Sequence, residues 1–387
     1  MTIRVHPGVL QWARQNRRLT IEQAAARLEW TEDRVLEIEQ TDTITEQELE
    51  KLASGYRISE ASLVMPAPLP IDRYPSRQID DFRLHARVEQ EPLTMGTQIK
   101  IENAFELIDL LAEVNDADVD VAPRPLLPTC DQDEDPQRVA TRERGRIGIP
   151  IDAQLGWGTD KEAFLRWREV IEGQEILVQK TTLHEKSVRG FAIFKSGYGL
   201  VAVDSTDDYR ARIFTLFHEY AHLLLRAGGI SDQNRRVPIE RWCNRFAANF
   251  LMPADEFREK YGLEFPQGGP ATDYQVGRMA AAFKVSKAST AIRFEELGLA
   301  PKGFYDQLKK MWGEPSKPQR KGPKERNQID IELGRLGTTH VSAIATAVER
   351  GIIDRLEARY ALDVPIEHLP ALSAAARARH EAYGPAK

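Results

Sequence analysis

RIFTLFHEYAHLLLR, residues 212–226, decides what kind of fold this chain builds. Phe214, Leu216, Phe217, Ala221 and Leu224 make it a largely apolar helix, which belongs inside a core. Yet His218, Glu219 and His222 stand in the middle of it. Two residues four apart on an α-helix project from the same face, about 40° apart in azimuth. Two imidazoles placed in this way can chelate one metal ion, each through one ring nitrogen at about 2.0–2.1 Å. Glu219, one residue on, reaches a water at the ion rather than the ion itself. A metal brings the pKa of that water towards about 7, and a carboxylate beside it takes the proton as the water attacks a peptide carbonyl. By composition, HExxH arises by accident in a chain of this size on the order of once in a hundred. The competing account is an exposed helix with incidental histidines. It fits the apolar surroundings poorly, because a carboxylate on a buried helix has no packing rationale.

The neighbouring segments extend the pattern. EILVQKTTL (175–183), RGFAIFK (189–195) and GLVAVDS (199–205) read as strands. The turn-like HEKS and SGY between them predict a small antiparallel meander. A helix is expected over DKEAFLRWREVIEG (160–173). The HExxH helix should run from about Tyr209 to Arg226, stopped by Gly228 and Gly229. A second helix should run from about Pro238 to Phe250, ended by Pro253. It carries IERWCNRFAANFLMP (239–253). A catalytic zinc takes three protein ligands and keeps one open position. Glu240, 18 residues beyond His222, is the candidate third. It is equally a helix-start carboxylate just after Pro238, and spacing leaves both readings open. Asn244 can orient a ligand from behind. Cys243 reads as a small apolar packing residue. His6, His85, His184, His340, His368 and His380 have no partner at ligand spacing and read as surface or capping residues. Arg210, Arg212, Tyr198 and Tyr209 are candidates for stabilising an oxyanion, and nothing selects among them.

The rest of the 387 residues sets the frame. Short amphipathic helices fill 1–65, with Thr20 and Thr31 as N-caps, in a helix-turn-helix pattern. A proline-rich linker follows (66–95), then the core (96–265), whose long helix spans about Thr97 to Val114. CDQDEDPQR (130–138) reads as a solvated loop. A helical, helix-turn-helix-like extension (266–312), a basic linker (313–326) and a helical module (327–387) complete an α+β, mostly helical chain. A net charge of −6 argues against coating nucleic acid or an anionic membrane. Two cysteines, Cys130 and Cys243, suggest a reducing compartment, and no membrane span or secretory leader is evident, so the cytoplasm is expected.

RIFTLFHEYAHLLL followed by IERWCNRFAANFLMPADEF resembles the ImmA/IrrE family of metallopeptidases. There HExxH precedes a second helix reading roughly E-x-x-A-N-x-F-A-x-x-L-L-M-P, which falls here on Glu240, Cys243, Asn244, Phe246, Ala247, Phe250, Leu251, Met252 and Pro253. The resemblance implies a zincin-like core, Zn2+ as cofactor, Glu240 as third ligand beside His218 and His222, and Glu219 as general base. Two departures stand out: Arg226 where many members carry a histidine, and Cys243 for the usual alanine. Residues 9–63 resemble an Xre-type helix-turn-helix, but 1–60 carry eight Lys/Arg against eleven Asp/Glu. The presumed recognition helix TEDRVLEIEQ (31–40) has four acidic residues and one arginine, where phosphate binding wants the opposite. Protein docking therefore competes with DNA binding for this region. Functionally, the resemblance implies a zinc-dependent endopeptidase that cuts an intracellular regulatory protein, such as a helix-turn-helix repressor, in a stress or mobile-element response. The alternative is a transcriptional regulator or antitoxin, partnered with a toxin, whose peptidase domain is dormant or accessory.

Overall fold

The computed structural model describes the whole chain except residues 1, 17–18, 57, 59, 69–79, 82–92, 118–126, 184–187, 228, 232–237, 314–326 and 385–387. His85, His184 and most of both expected linkers therefore lie outside the described residues. The chain forms two compact units, Met1–Gln78 and Ile79–Lys387.

The first unit holds β1 (Thr2–Arg4), α1 (Pro7–Asn16), α2 (Ile21–Leu28), α3 (Glu32–Ile38), β2 (Thr43–Thr45), α4 (Glu46–Tyr56) and α5 (Glu60–Leu63). Thr20 caps α2 in a reciprocal box with Gln23, and the Thr31 hydroxyl accepts from Arg34 N–H at 3.2 Å. Glu29 takes the left-handed conformation (φ 51) that ends α2. The helices close on Val9, Leu10, Ala24, Leu28, Val35 and Leu52.

In the second unit, β3 (Asp80–Asp81), α6 (Met95–Ala117), α7 (Pro136–Ile147), α8 (Ile151–Gly156) and α9 (Asp160–Glu172) lead into β4 (Ile176–Thr181), β5 (Gly190–Lys195) and β6 (Tyr198–Asp204). Then come α10 (Tyr209–Leu224), β7 (Gly229–Ser231), α11 (Pro238–Leu251), α12 (Ala254–Glu264), α13 (Asp273–Phe283), α14 (Lys287–Glu296) and α15 (Phe304–Trp312). The chain finishes with α16 (Gln328–Leu336), α17 (Thr338–Glu349), α18 (Arg355–Leu362) and α19 (Leu369–Tyr383). The result is mostly helical with a small sheet. The start of α7 corrects the reading of 130–138 as loop: Asp135 caps it and Pro136 opens it.

The sheet is mixed, in the order β3-β7-β5-β6-β4, and not the antiparallel meander expected. β5 and β6 do form an antiparallel hairpin over Ser196 and Gly197, both at positive φ (51 and 78). β4, however, pairs parallel with β6, Ile176 opposite Gly199 through Thr181 opposite Asp204. The reason is burial. β6 is buried along its whole length, and such a strand takes an interior place with a neighbour on each side. Alternate residues then feed two cores. Ile176, Val178, Ala192, Val201 and Val203 face α9, α10, α11 and the α13–α14 pair. Leu177, Phe191, Ile193, Leu200 and Ala202 face α6 and the C-terminal helices α16, α17 and α19. Residues 327–387 thus supply much of the second core. His340, expected at a surface or a cap, is buried there beside Val341, and burial depresses its imidazole to about 3, so it stays neutral.

Among the described residues no helix is long and apolar enough to cross a membrane.

Candidate metal centre

α10 is capped by Asp208, whose carboxylate accepts from Ala211 N–H at 2.9 Å. It then runs between the sheet and α11, so that every residue from Thr215 to Leu224 is buried. Phe217 stacks on Phe250 of α11 with centroids 4.2 Å apart, and Trp167 of α9 packs edge-on against both. α11 opens at Pro238, which places Glu240 in its first turn, where a carboxylate is favourable.

These two helices bring His218, His222 and Glu240 together, with no solvent exposure. His218 Nε2 lies 3.1 Å from Glu240 Oε2, and His222 Nε2 lies 3.2 Å from Glu240 Oε1. The two Nε2 atoms are 3.2 Å apart. Donors at about 2.0–2.1 Å from one tetrahedral ion stand about 3.3–3.4 Å from each other, so the spacing fits zinc. The chemistry of the donors fits as well. His222 Nδ1 is 3.1 Å from the Ala227 carbonyl oxygen, a contact that needs a proton on Nδ1. A neutral His222 then presents a lone pair from Nε2 towards the carboxylate. Protons on both Nε2 atoms would instead force two N–H groups into the same narrow gap. One shared cation satisfies all three groups.

Glu219 is buried next to this cluster. Gly190 of β5 makes its place: a Cβ there would stand 3.0 Å from Glu219 Oε1 and 2.7 Å from both Thr215 Cγ2 and the Ala202 carbonyl oxygen. The sequence reading missed Gly190 and the Ala227 carbonyl. A glycine opening an apolar strand was a signal for the first; a backbone oxygen leaves none.

The remaining candidates go elsewhere. Arg210 pairs with Asp160, Arg212 donates to the Asp204 and Ser205 carbonyls, and the Tyr198 hydroxyl donates to the Leu111 carbonyl. Tyr209 lies under the Arg212 guanidinium, 4.9 Å from ring centroid to Cζ. Residues 209–212 also sit six or more positions before His218, about 9 Å or more up the helix axis. Cys243 is fully buried and burial holds its thiol well above the usual range, as a packing residue. His6 accepts from Gly8 N–H, while His368 and His380 bond Glu332 and Glu169.

Residues 171–295 match the family model of the IrrE N-terminal-like domain, Peptidase_M78. The match begins in the last turn of α9 and ends in α14, so it takes in β4–β6, α10 and α11. No curated protein matches the chain.

Proposed function

We propose that this protein is a zinc-dependent endopeptidase in which His218, His222 and Glu240 hold the ion and Glu219 is the general base. The observation that carries this is the closed set of three donors with Glu219 beside it, all four fully buried. When bound, zinc supplies an activated water and a Lewis acid for the scissile carbonyl. Glu219 takes the proton of the attacking water on a carboxylate oxygen and returns it to the leaving amine. A site with a purely structural metal has no use for that carboxylate. The apolar walls of α10 and α11 keep bulk water from competing.

The substrate we propose is a cytoplasmic regulatory protein, a helix-turn-helix repressor or comparable partner in a stress or mobile-element response. The N-terminal unit, as an Xre-like helix-turn-helix, would dock that partner rather than an operator. Arg34, the one arginine of the presumed recognition helix, is tied to Glu37 and Glu48, while Glu32, Asp33 and Glu37 face solvent.

The test is to purify wild type and Glu219→Gln, measure bound metal, and incubate each with the protein encoded by the neighbouring gene. Stoichiometric zinc in both and cleavage by wild type alone are expected, the substitution costing about 10²–10⁴ in rate. Zinc in both with a stable complex and no cleavage would move the assignment to the antitoxin reading. Absence of metal from both would remove the site.

A further inference from the structure

We propose that Arg226 is a positioning residue of the metal centre: it fixes the turn after α10 so that the Ala227 carbonyl orients His222. This rests on reading His218, His222 and Glu240 as metal ligands.

The turn is unusual for its sequence. α10 ends at Leu224, two residues before the expected Arg226, and Arg226 itself adopts φ 52. That left-handed conformation is one glycine fills readily and a long side chain does not. The side chain is what holds it. Arg226 Nη1 donates to the Leu223 carbonyl at 2.8 Å and Nη2 to the Leu127 carbonyl at 2.6 Å. The guanidinium lies over the ring of Phe194 of β5, with Cζ 3.9 Å from the ring centroid. Three separate parts of the fold thus grip one residue.

The residue after it meets His222 twice. Ala227 N–H donates to the His222 carbonyl at 3.0 Å, and His222 Nδ1–H donates to the Ala227 carbonyl at 3.1 Å. The second bond sets the tautomer and the ring plane, and so aims Nε2 at the centre. Ala227 has no side chain with which to hold this position. Arg226, through Leu127 and Phe194, supplies the anchor. Lysine could offer a point charge but not two diverging donors and a stacking plane.

The experiment compares full-length wild type with Arg226→Ala, Arg226→Gly and Arg226→Lys. Zinc affinity is read by competition with a chromophoric chelator, and ligand geometry by the visible spectrum of the Co2+-loaded protein. Arg226→Ala should bind zinc about 10-fold more weakly, the low end of what outer-shell partners cost, with an altered Co2+ spectrum. Arg226→Gly keeps a residue at ease in the left-handed turn, so folding is spared; it should weaken binding too, because the clamp is gone. Arg226→Lys should recover only part. Wild-type affinity and spectrum in Arg226→Gly would overturn the proposal, whatever Arg226→Ala does. If wild type itself takes up no zinc, the ligand assignment fails instead, and the two failures are told apart.

Discussion

Gly190→Ala is the sharpest single-atom perturbation of the proposed site. The added Cβ would meet the Ala202 carbonyl oxygen and Thr215 Cγ2 at 2.7 Å each, and Glu219 Oε1 at 3.0 Å. The first of these is backbone of β6, an interior strand paired with β5 and β4, and cannot yield without disturbing the pairing on both sides. Relief must therefore come from α10 moving off the sheet or from Thr215 and Glu219 turning away. Overpacking of this kind costs about 1–3 kcal/mol, and displacing a catalytic carboxylate by about 1 Å costs on the order of 10²-fold in rate. Metal binding should suffer little, because His218, His222 and Glu240 are not among the atoms crowded. The assay is a thermal melt, a metal determination and the rate of partner cleavage on the same preparation. Adding Thr215→Ser removes the crowded methyl and keeps the hydroxyl, so the double variant should regain part of the stability, a coupling of about 0.5–3 kcal/mol. An alanine variant with wild-type melting and wild-type rate would refute the argument that this strand position sets the place of Glu219.

Three other outcomes are expected. Glu240→Ala should leave the two histidines unable to retain zinc, seen as substoichiometric metal after gel filtration, whereas undiminished zinc would point to a different third ligand. His340 has its imidazole depressed by burial to about 3, with the Arg335 guanidinium adding to the effect. The unfolded chain takes a proton that the folded one refuses, so this contribution is complete above about pH 6.5 and is lost as pH falls from there towards 3, about 2 kcal/mol by pH 5; urea melts at pH 7.5 and 5.0 should show a shallower loss for His340→Leu than for wild type. Wild type should show no salt-dependent binding to duplex DNA by fluorescence anisotropy, and Glu32→Lys with Asp33→Lys should raise it; steep salt dependence in the unmodified protein would sink protein docking as the role of the first unit.

The helices were readable where the signal was local. Thr20 and Thr31 each satisfy orphan N–H groups within three residues, so the caps were visible in the chain. The pairing of His218 with His222 followed from helical spacing, whereas spacing left Glu240 open and only the resemblance pointed to it; the fold brings the three together. Strand pairing is not local. The three apolar runs looked like a meander because neighbouring strands usually pair, yet β6, buried on both faces, lies between β5 and a parallel β4. His340 looked idle because its partners are distant: it belongs to the core on the second face of the sheet, which no sequence window contains. The exit of α10 was placed at the glycines, whereas Arg226 stops it earlier with a hydrogen bond to the Leu127 carbonyl and a ring contact with Phe194, both far away in sequence.

A buried set of two imidazoles and a carboxylate is costly until something positive sits among them, so the scaffold must hold the two helices in place on its own. α7 does much of this. Arg144 donates to the Phe250 carbonyl at 2.8 Å, and the chain just before α7 receives Trp242 Nε1–H at the Glu134 carbonyl, also at 2.8 Å. On α10, the Tyr220 hydroxyl donates to Glu143 at 2.8 Å and accepts from Arg146 at the same distance. Both helices are thus pinned to a third by bonds that do not involve the metal ligands, and the Phe217–Phe250 stack closes the seam between them. A zinc finger has no such independent packing and unfolds when stripped. Under the proposed function an ion would meet donors already held in place by their surroundings, the pre-organisation that a catalytic centre requires.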